Sequence, residues 1–488
     1  SIMKNRDARI GIVFSLFLIV AFELLFLVAE FANNSLVINS ILVFMSSVIV
    51  ILFFMQGSDD KRLLLLVGVS LVSPMMSVPI ISDNSIISSI LSDIIIFSDR
   101  IQIRHLAVFI LSVLFTIRVM LLHTRKYVLV IHCLMVALFV TNMIFHEYQD
   151  LSIYQSIIDF FYILGASSIF IYMRLMMSQD RAATLLKNFI SIMSLLLVLI
   201  TLDLIISLTG IVPWSISYRG GIQGSLYGLE MIFSFFLGLC IVFFASKVKK
   251  NLSKFIIIVF GGAFLFMTNI ESAIIAMILS FIAVNDRIKY KLFPMIIILI
   301  IFFVFFAINF SNIIEQNLLL WSRIGTYIAS LSVYFDNYFI TGITTGVIDP
   351  TMKSNLASII FQSNYSDYLQ ELHPSISGEL LERAKYIKGG KFIPHNSAIA
   401  LIVSNGVFFI VPVIYYYYIM PFKLIFKIEK NTQKEVNILL RVLVFIVLFS
   451  TMHPLILPIL LVFIVELLRI FIIPPQIKTT KQEFLFRT

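Results

Sequence analysis

The sequence SNIIEQNLLLWSRIGTYIAS (residues 311–330) opens the one long polar segment of the chain, and GGKFIPHN (residues 389–396) closes it. Apolar runs make up most of the sequence on both sides of this segment. Sixty per cent of the 488 residues are hydrophobic and 13% are charged, a balance that a lipid bilayer requires and a water-soluble surface does not tolerate. The sequence therefore predicts an all-α polytopic membrane protein with one large loop outside the membrane.

The apolar runs have the lengths of membrane-spanning helices. About 20 apolar residues cross a bilayer, and they must be helical because lipid offers the backbone no hydrogen-bond partner. This rule predicts fourteen spans, at residues 10–32, 35–55, 63–81, 104–123, 127–145, 153–175, 186–209, 226–246, 253–268, 270–284, 292–310, 396–420, 436–451 and 455–472. Residues 1–310 then hold spans one to eleven, residues 311–395 form the large and partly helical loop, and residues 396–488 hold the last three spans and a tail.

Positive charge is concentrated in alternate connections between the predicted spans. The basic connections carry Lys61 and Arg62; Arg125 and Lys126; Arg174, Arg181 and Lys187; Lys247, Lys249, Lys250 and Lys254; Arg287, Lys289 and Lys291; Lys423, Lys427, Lys430 and Lys434; and Lys478, Lys481 and Arg487. The positive-inside rule places these connections and both termini in the cytoplasm. Residues 82–103, 210–225 and 311–395 are then external. The net charge of +9 is accounted for by this asymmetry, so we expect no nucleic-acid partner.

Three further features predict structure rather than chemistry. Cys133 and Cys240 lie inside apolar runs, so we expect neither a disulfide framework nor a metal cluster. The basic start of the chain precedes a long apolar run without an A-x-A cleavage pattern, which predicts a retained first span. Residues 82–103 carry isoleucines at helical spacing with serines between them, which predicts an amphipathic helix on the membrane surface.

The spacing of apolar residues predicts that the long loop begins with an amphipathic helix that carries Arg323. One apolar face of this helix consists of Leu320, Ile324, Tyr327, Ile328, Leu331 and Phe335. Arg323 shares a different face with Thr326 and Ser330, which would direct its guanidinium into the space that the loop covers. Gly342 follows in a glycine-containing turn, where the backbone of the loop can approach closely. The alternative is an arginine that contacts lipid headgroups.

A second arginine lies in a shorter external segment. Arg219 precedes Gly220 and Gly221, and further glycines lead into the eighth span. An arginine beside free backbone N–H groups at the positive end of a helix dipole is suited to holding an anion. The alternative is an ordinary glycine turn with an arginine at the headgroups.

His395 lies directly before the twelfth span, between Pro394 and Asn396. An imidazole with an ordinary pKa of about 6.5 can accept a hydroxyl proton near neutral pH. The alternative is a membrane-surface histidine with a structural hydrogen bond. Glu271 lies at the outer tip of the hairpin formed by spans nine and ten, and an acid at membrane depth is a candidate functional residue.

In order and placement, these patches resemble those of the O-antigen polymerase (Wzy) and ligase superfamily of bacterial membrane glycosyltransferases. The matching patches are Arg219-Gly220-Gly221; Ser322-Arg323-Ile324-Gly325 followed by Asp336-Asn337-Tyr338 and the turn at residues 341–346; and His395-Asn396-Ser397 followed by Asn405-Gly406. They cover about a third of the chain, and their order on a positive-inside topology is more specific than any one of them. There are two departures: Glu271-Ser272 stands where the family often has Ser-Arg, and the glycines after Arg219 and Arg323 do not follow the R-x10-G form of some polymerases.

The resemblance implies a GT-C-like fold that transfers a glycan from undecaprenyl pyrophosphate to a sugar hydroxyl at the periplasmic face of the inner membrane, without a metal or other cofactor. It implies that Arg219 and Arg323 hold the pyrophosphate and that His395 accepts the hydroxyl proton. The expected substrate-binding residues are Asn396, Tyr327, Gly220, Gly221, Gly342 and Glu271. The implied partners are the lipid-linked oligosaccharide, membrane lipids and a Wzz-type chain-length regulator.

Other functions are compatible with the same pattern. A ligase would transfer the finished chain to lipid A core, and a flippase for lipid-linked oligosaccharides would only move its substrate across the membrane. Flippases have short loops, so the length of the external segment argues against that class. A non-enzymatic scaffold is the third alternative. We favour the polymerase, because weak motifs in a divergent sequence are what a repeat-specific enzyme would show.

Overall fold

The protein is represented by a computed structural model that describes residues 11–25, 36–73, 103–122, 126–145, 152–209, 230–268, 270–284, 334–335, 339, 342, 397–427, 434–452 and 457–473. This described part is all-helical: 93% of it is helix and none of it is strand. The prediction of an all-α protein is therefore confirmed for these residues.

The described helices follow the predicted spans closely along the chain. In chain order they are α1 Gly11–Leu25, α2 Leu36–Gln56, α3 Asp59–Val72, α4 Ile103–Leu122, α5 Lys126–Phe145, α6 Ser152–Leu175, α7 Gln179–Thr209, α8 Glu230–Lys247, α9 Asn251–Phe266, α10 Glu271–Ala283, α11 Ser397–Asn405, α12 Val407–Lys427, α13 Lys434–Met452 and α14 Pro458–Ile472. The predicted span at 292–310 and the predicted surface helix at 82–103 lie outside the described residues. So does most of the segment 311–395, which the sequence predicts to be external.

Four of the described helices contain stretches long and apolar enough to cross a membrane, at His105–Leu122, Ile157–Leu175, Gln179–Thr209 and Val407–Lys427. Other apolar helices in the described ranges are shorter. The membrane character of the chain is thus supported, and the count of fourteen spans stays a prediction. One predicted span differs in form, because residues 396–420 do not make one helix: the chain breaks at Gly406 between α11 and α12.

Helix α14 is the centre of the packing. Its sequence PILLVFIVELLRIFI is apolar except for Glu466 and Arg469, as expected of a helix surrounded by others. Pro458 occupies the first turn, where the missing N–H has no helical partner to lose. Helices α3, α6, α7, α12 and α13 all pack against it. This arrangement leaves nearly every α14 side chain buried.

A second packing group joins α8, α9, α10 and α13. Its closest approach is at Gly238 of α8, where an added Cβ would lie 2.5 Å from Cζ of Phe445 in α13. Phe235, one turn earlier, stacks on Phe445 with ring centroids 5.8 Å apart. Glycine at this position therefore lets two helices approach closely enough for their phenylalanines to interlock.

Ion pairs join several of the basic connections that the sequence assigns to one side. Arg181, at the start of α7, donates to both carboxylate oxygens of Asp60 at 2.6 and 3.1 Å. Asp59 accepts from Arg62 at 2.7 Å and from Arg118 at 2.8 Å. Burial raises the pKa of Asp59, but the hydrogen bonds and charges of these two arginines outweigh it and hold that pKa below its usual range. These contacts tie the α2–α3 turn to α4 and α7.

Candidate functional site

The break between α11 and α12 depends on Gly406. Its φ of 80° and ψ of −175° belong to a region that glycine enters readily and other residues do not. Its own N–H still donates to the carbonyl oxygen of Ile402 at 3.0 Å, which ends α11. The side-chain amide of Asn405 donates to the carbonyl oxygen of Leu401 at 2.9 Å. The next N–H, that of Val407, is released from the helical pattern by this turn.

A carbonyl group from the predicted external segment 311–395 fills that position. The N–H of Val407 donates to the carbonyl oxygen of Phe339 at 2.8 Å, and the hydroxyl of Tyr334 donates to the same oxygen at 3.1 Å. A backbone N–H shielded from water is costly unless it has such a partner. Tyr334 is 0% exposed, and its ring contacts those of Phe335 and Phe339 at centroid distances of 5.2 and 5.8 Å. One hydrogen bond therefore ties the segment to the start of α12, while the hydroxyl and ring contacts of Tyr334 hold the segment itself together.

The contact brings together the ends of two patches identified in the sequence. Phe339 and Gly342 belong to the segment that follows Arg323, and Asn405 and Gly406 belong to the segment that follows His395. Gly342 has a φ of 77°, a backbone conformation that favours glycine in the turn where the sequence placed it. Among the predicted site residues, those at Arg219, Gly220, Gly221, Arg323, Tyr327, His395 and Asn396 lie outside the described residues.

Glu271 is the first residue of α10 and its side chain is exposed. The hairpin turn between α9 and α10 is where the sequence placed it. A carboxylate in the first turn interacts favourably with the positive end of the helix dipole. Glu271 therefore stabilises α10 whether or not it binds a substrate. Its contribution to substrate binding stays a prediction.

We expect that replacing Gly406 by alanine will lower the thermal stability of the protein. The alanine Cβ disfavours the positive φ, at a cost of about 1–3 kcal/mol. The matched control is Gly262→Ala in α9, where an added Cβ meets only Cε of Met277 at 3.7 Å. Alanine has a higher helix propensity than glycine, so this change should not lower the stability. Melting temperatures of the two purified variants in detergent compare them directly. Equal melting temperatures would show that the break does not depend on glycine.

A cavity of about 550 Å³ begins beside this break and runs along α12. It lies between α5, α6, α12 and α14, and most of its wall is apolar. Its size is that of a typical small-molecule site. The lining residues are Ile131, Leu134, Met135, Ile163, Ala166, Ser167, Phe170, Arg174, Leu401, Phe408, Phe409, Val411, Pro412, Val413, Tyr415, Tyr416, Tyr417, Pro458, Leu461 and Val462.

The polar end of the cavity is built around Glu466 of α14, which is 0% exposed. Arg174 of α6 binds both of its oxygens, through Nε to Oε2 at 2.8 Å and through Nη2 to Oε1 at 2.9 Å. Nε of Arg469 donates to Oε2 at 2.7 Å. The hydroxyl of Tyr416 donates to Oε1 at 2.7 Å. Four donors thus satisfy the carboxylate, as a buried charge requires.

A short π-helix in α12, Tyr415–Ile419, supplies the tyrosines of this cluster. The wider turn places Tyr416 on Glu466, while the neighbouring Tyr415 hydroxyl accepts a hydrogen bond from Nη2 of Arg174 at 3.1 Å. Segments of π-helix are rare and often mark functional sites. Helix α12 therefore departs from regular geometry where it meets the polar end of the cavity.

Sequence reasoning did not identify this cluster. In the sequence, Arg174 reads as one basic residue of a predicted cytoplasmic connection, and Glu466 belongs to none of the patches that indicate function. The local sequence does indicate the cluster. Glu466 is the single acid in an otherwise apolar run, and Arg469 follows it at the spacing of a helical ion pair. The run of four tyrosines from Tyr415 to Tyr418 was a second signal.

Metal ligands do not converge in the part of the chain that the structure describes, where no three His, Cys, Asp or Glu side chains come together. Comparison with protein-family models, with curated proteins and with solved structures finds no match to this chain.

Proposed function

We propose that the protein is an O-antigen polymerase of the bacterial inner membrane. In this proposal it transfers a growing glycan from undecaprenyl pyrophosphate to the non-reducing-end sugar hydroxyl of a lipid-linked repeat unit. The reaction takes place at the periplasmic face, needs no metal ion, and is regulated by a Wzz-type co-polymerase. The proposal rests on the order of the sequence patches and on their chemistry.

The hydrogen bond between Val407 and Phe339 is the observation that favours it most. Phe339 lies 16 residues after Arg323, and Val407 lies 12 residues after His395. A contact between these two segments is what a site shared by Arg323 and His395 requires. A loop that merely connected two spans would not need to be anchored at a helix break.

The proposed chemistry follows from the charges that develop in the reaction. The bond between the sugar carbon and the pyrophosphate oxygen breaks, and the acceptor oxygen forms the new glycosidic bond. Guanidinium groups of Arg219 and Arg323 would hold the departing pyrophosphate through paired hydrogen bonds. His395 would take the proton of the acceptor hydroxyl as the oxocarbenium-like centre forms.

The decisive experiment is a reaction of the purified protein with a lipid-pyrophosphate-linked repeat unit in the presence of EDTA. A ladder of longer lipid-linked glycans is the expected product. Product that forms only after Mg²⁺ is added would contradict the metal-independent mechanism. Transfer only to added lipid A core would identify a ligase instead. A protein that moves the repeat unit across a vesicle membrane and forms no new bond would be a flippase.

We expect Arg219→Lys to impair elongation although it keeps the charge. An ammonium group cannot reproduce the two parallel hydrogen bonds that a guanidinium makes to a phosphate. The rate of ladder formation should fall at a fixed amount of inserted protein. The matched control is Arg100→Lys in another predicted external segment, which should elongate normally. Equal rates for the two variants would remove Arg219 from the site.

A further inference from the structure

The cavity along α12 opens sideways, out of the helix bundle. Leu134 of α5 and Val411 of α12 line it, and they are also 49% and 74% exposed on the outside of the protein. Phe408 beside the helix break is exposed in the same way. In a membrane, exposed apolar side chains such as these face lipid. A hydrocarbon chain can therefore enter the cavity from the bilayer without crossing water.

Hydrogen-bond donors remain at the polar end of the cavity. Arg174 lines it, its side chain is 32% exposed, and its Nη1 has no partner among the described residues. Tyr415 also lines it and accepts a hydrogen bond from Arg174, which leaves its hydroxyl proton for another acceptor. Both donors thus lie at the same end of the cavity, on groups that are already held in position.

The charge at this end is positive. Arg174 and Arg469 contribute two positive charges and Glu466 one negative charge, so the cluster has a net charge of +1. Arg174 lies in the last turn of α6, at the depth of a helix end rather than a helix centre. A cation at this depth, beside an apolar cavity, is complementary to an anionic headgroup that carries an acyl chain.

We propose that this cavity binds an anionic glycerophospholipid, with one acyl chain along α12 and the phosphate at Arg174 and Tyr415. Paired hydrogen bonds from a guanidinium to phosphate oxygens are among the stronger polar contacts in proteins. The headgroup would come from the leaflet that faces the basic connections, which the sequence assigns to the cytoplasm. This site does not depend on the proposed glycosyl transfer.

The first test compares two neighbouring tyrosines. Tyr415→Phe removes the hydroxyl from the polar end, and Tyr418→Phe makes the same change at a residue that does not line the cavity. The melting temperature of each purified variant is measured with added dioleoyl phosphatidylglycerol, dioleoyl phosphatidylcholine or inorganic phosphate. We expect phosphatidylglycerol to raise the melting temperature of the unmodified chain and of Tyr418→Phe. The apparent affinity of Tyr415→Phe for phosphatidylglycerol should be about tenfold lower than that of the unmodified chain. This is the effect of losing one hydrogen bond to a charged group.

The second test concerns the acyl chain. Ala166→Leu places extra bulk in the cavity wall, whereas Ala137→Leu adds the same bulk to an exposed position on α5 outside the cavity. We expect Ala166→Leu to lose the stabilisation by phosphatidylglycerol and Ala137→Leu to keep it. Neither variant changes Arg174, Tyr415 or Glu466, so the polar end of the cavity keeps its residues in both.

Three results would overturn the proposal. Equal stabilisation by phosphatidylcholine would exclude recognition of the anionic headgroup. The same stabilisation by inorganic phosphate would show an ion site without a chain. Undiminished lipid binding by Ala166→Leu would place the chain elsewhere on the protein.

Discussion

Replacing His395 or Arg323 by alanine should abolish chain elongation while the protein still inserts in the membrane. General-base catalysis contributes about 10²–10⁴-fold to a rate, so loss of the His395 imidazole should leave only traces of product. Loss of the Arg323 guanidinium removes a cation from the departing pyrophosphate, a change whose cost in comparable sites is about 10²–10³-fold. Both effects can be measured as the loss of the polysaccharide ladder in a deletion strain that expresses each variant.

Matched controls come from the same predicted loop. His373→Ala and Arg383→Ala change the same residue types between residues 311 and 395, outside the patches that the resemblance identifies. Both should elongate normally at equal expression. Normal ladders from His395→Ala and Arg323→Ala together would end the catalytic assignment. Loss of the ladder in the controls as well would show that the loop as a whole, rather than these side chains, is required.

Replacing Glu466 by glutamine should destabilise the membrane domain by about 3 kcal/mol. The amide keeps the size of the side chain, but it leaves the guanidinium groups of Arg174 and Arg469 without a counter-charge. This loss of stability lies at the lower end of the range for broken buried ion pairs. The reason is that the Arg174 side chain is 32% exposed and can turn towards lipid headgroups. Cys240 is buried and reports the loss of structure when a maleimide dye reacts with it on heating. The exposed Cys133 is first changed to serine so that only Cys240 reacts.

The control for Glu466→Gln is Glu435→Gln in the first turn of α13. That change should cost no more than about 1 kcal/mol, the value of an acid at a helix N-terminus. A second variant, Glu466→Leu combined with Arg174→Met, removes charge from both sides of the pair. It should be more stable than Glu466→Gln, because it leaves one guanidinium group, that of Arg469, without a counter-charge instead of two. If Glu466→Gln unfolds at the temperature of the unmodified chain, the cluster does not hold the bundle together.

The positions of the helices were largely predictable from sequence. Spans predicted at 104–123, 127–145 and 153–175 correspond to helices at Ile103–Leu122, Lys126–Phe145 and Ser152–Leu175. The reason is physical, since the length of an apolar run and the placement of basic residues are properties of the local sequence. The number of crossings depends on residues outside the described ranges as well.

The break at Gly406 was not predictable in the same way. Residues 396–420 form one apolar run, and a glycine in such a run is compatible with a continuous helix. The N–H of Val407 that the break releases finds its partner in the carbonyl group of Phe339, 68 residues earlier in the chain. Nor could sequence spacing pair Arg174 with Glu466, which are 292 positions apart. For the candidate site, sequence reasoning identified residue types and order, while contacts between distant segments required the structure.

The central position of α14 has a consequence for biogenesis. Arg174 is synthesised 292 residues before Glu466, which at ribosomal speeds is a delay of about 15–60 s. During that interval α3, α6 and α7 lack the helix against which they will pack. Until Glu466 arrives, the Arg174 guanidinium at the end of α6 is solvated by water or lipid headgroups instead. Assembly of the bundle is therefore a late event, and membrane proteases have a window in which an unfinished chain can be distinguished from a complete one.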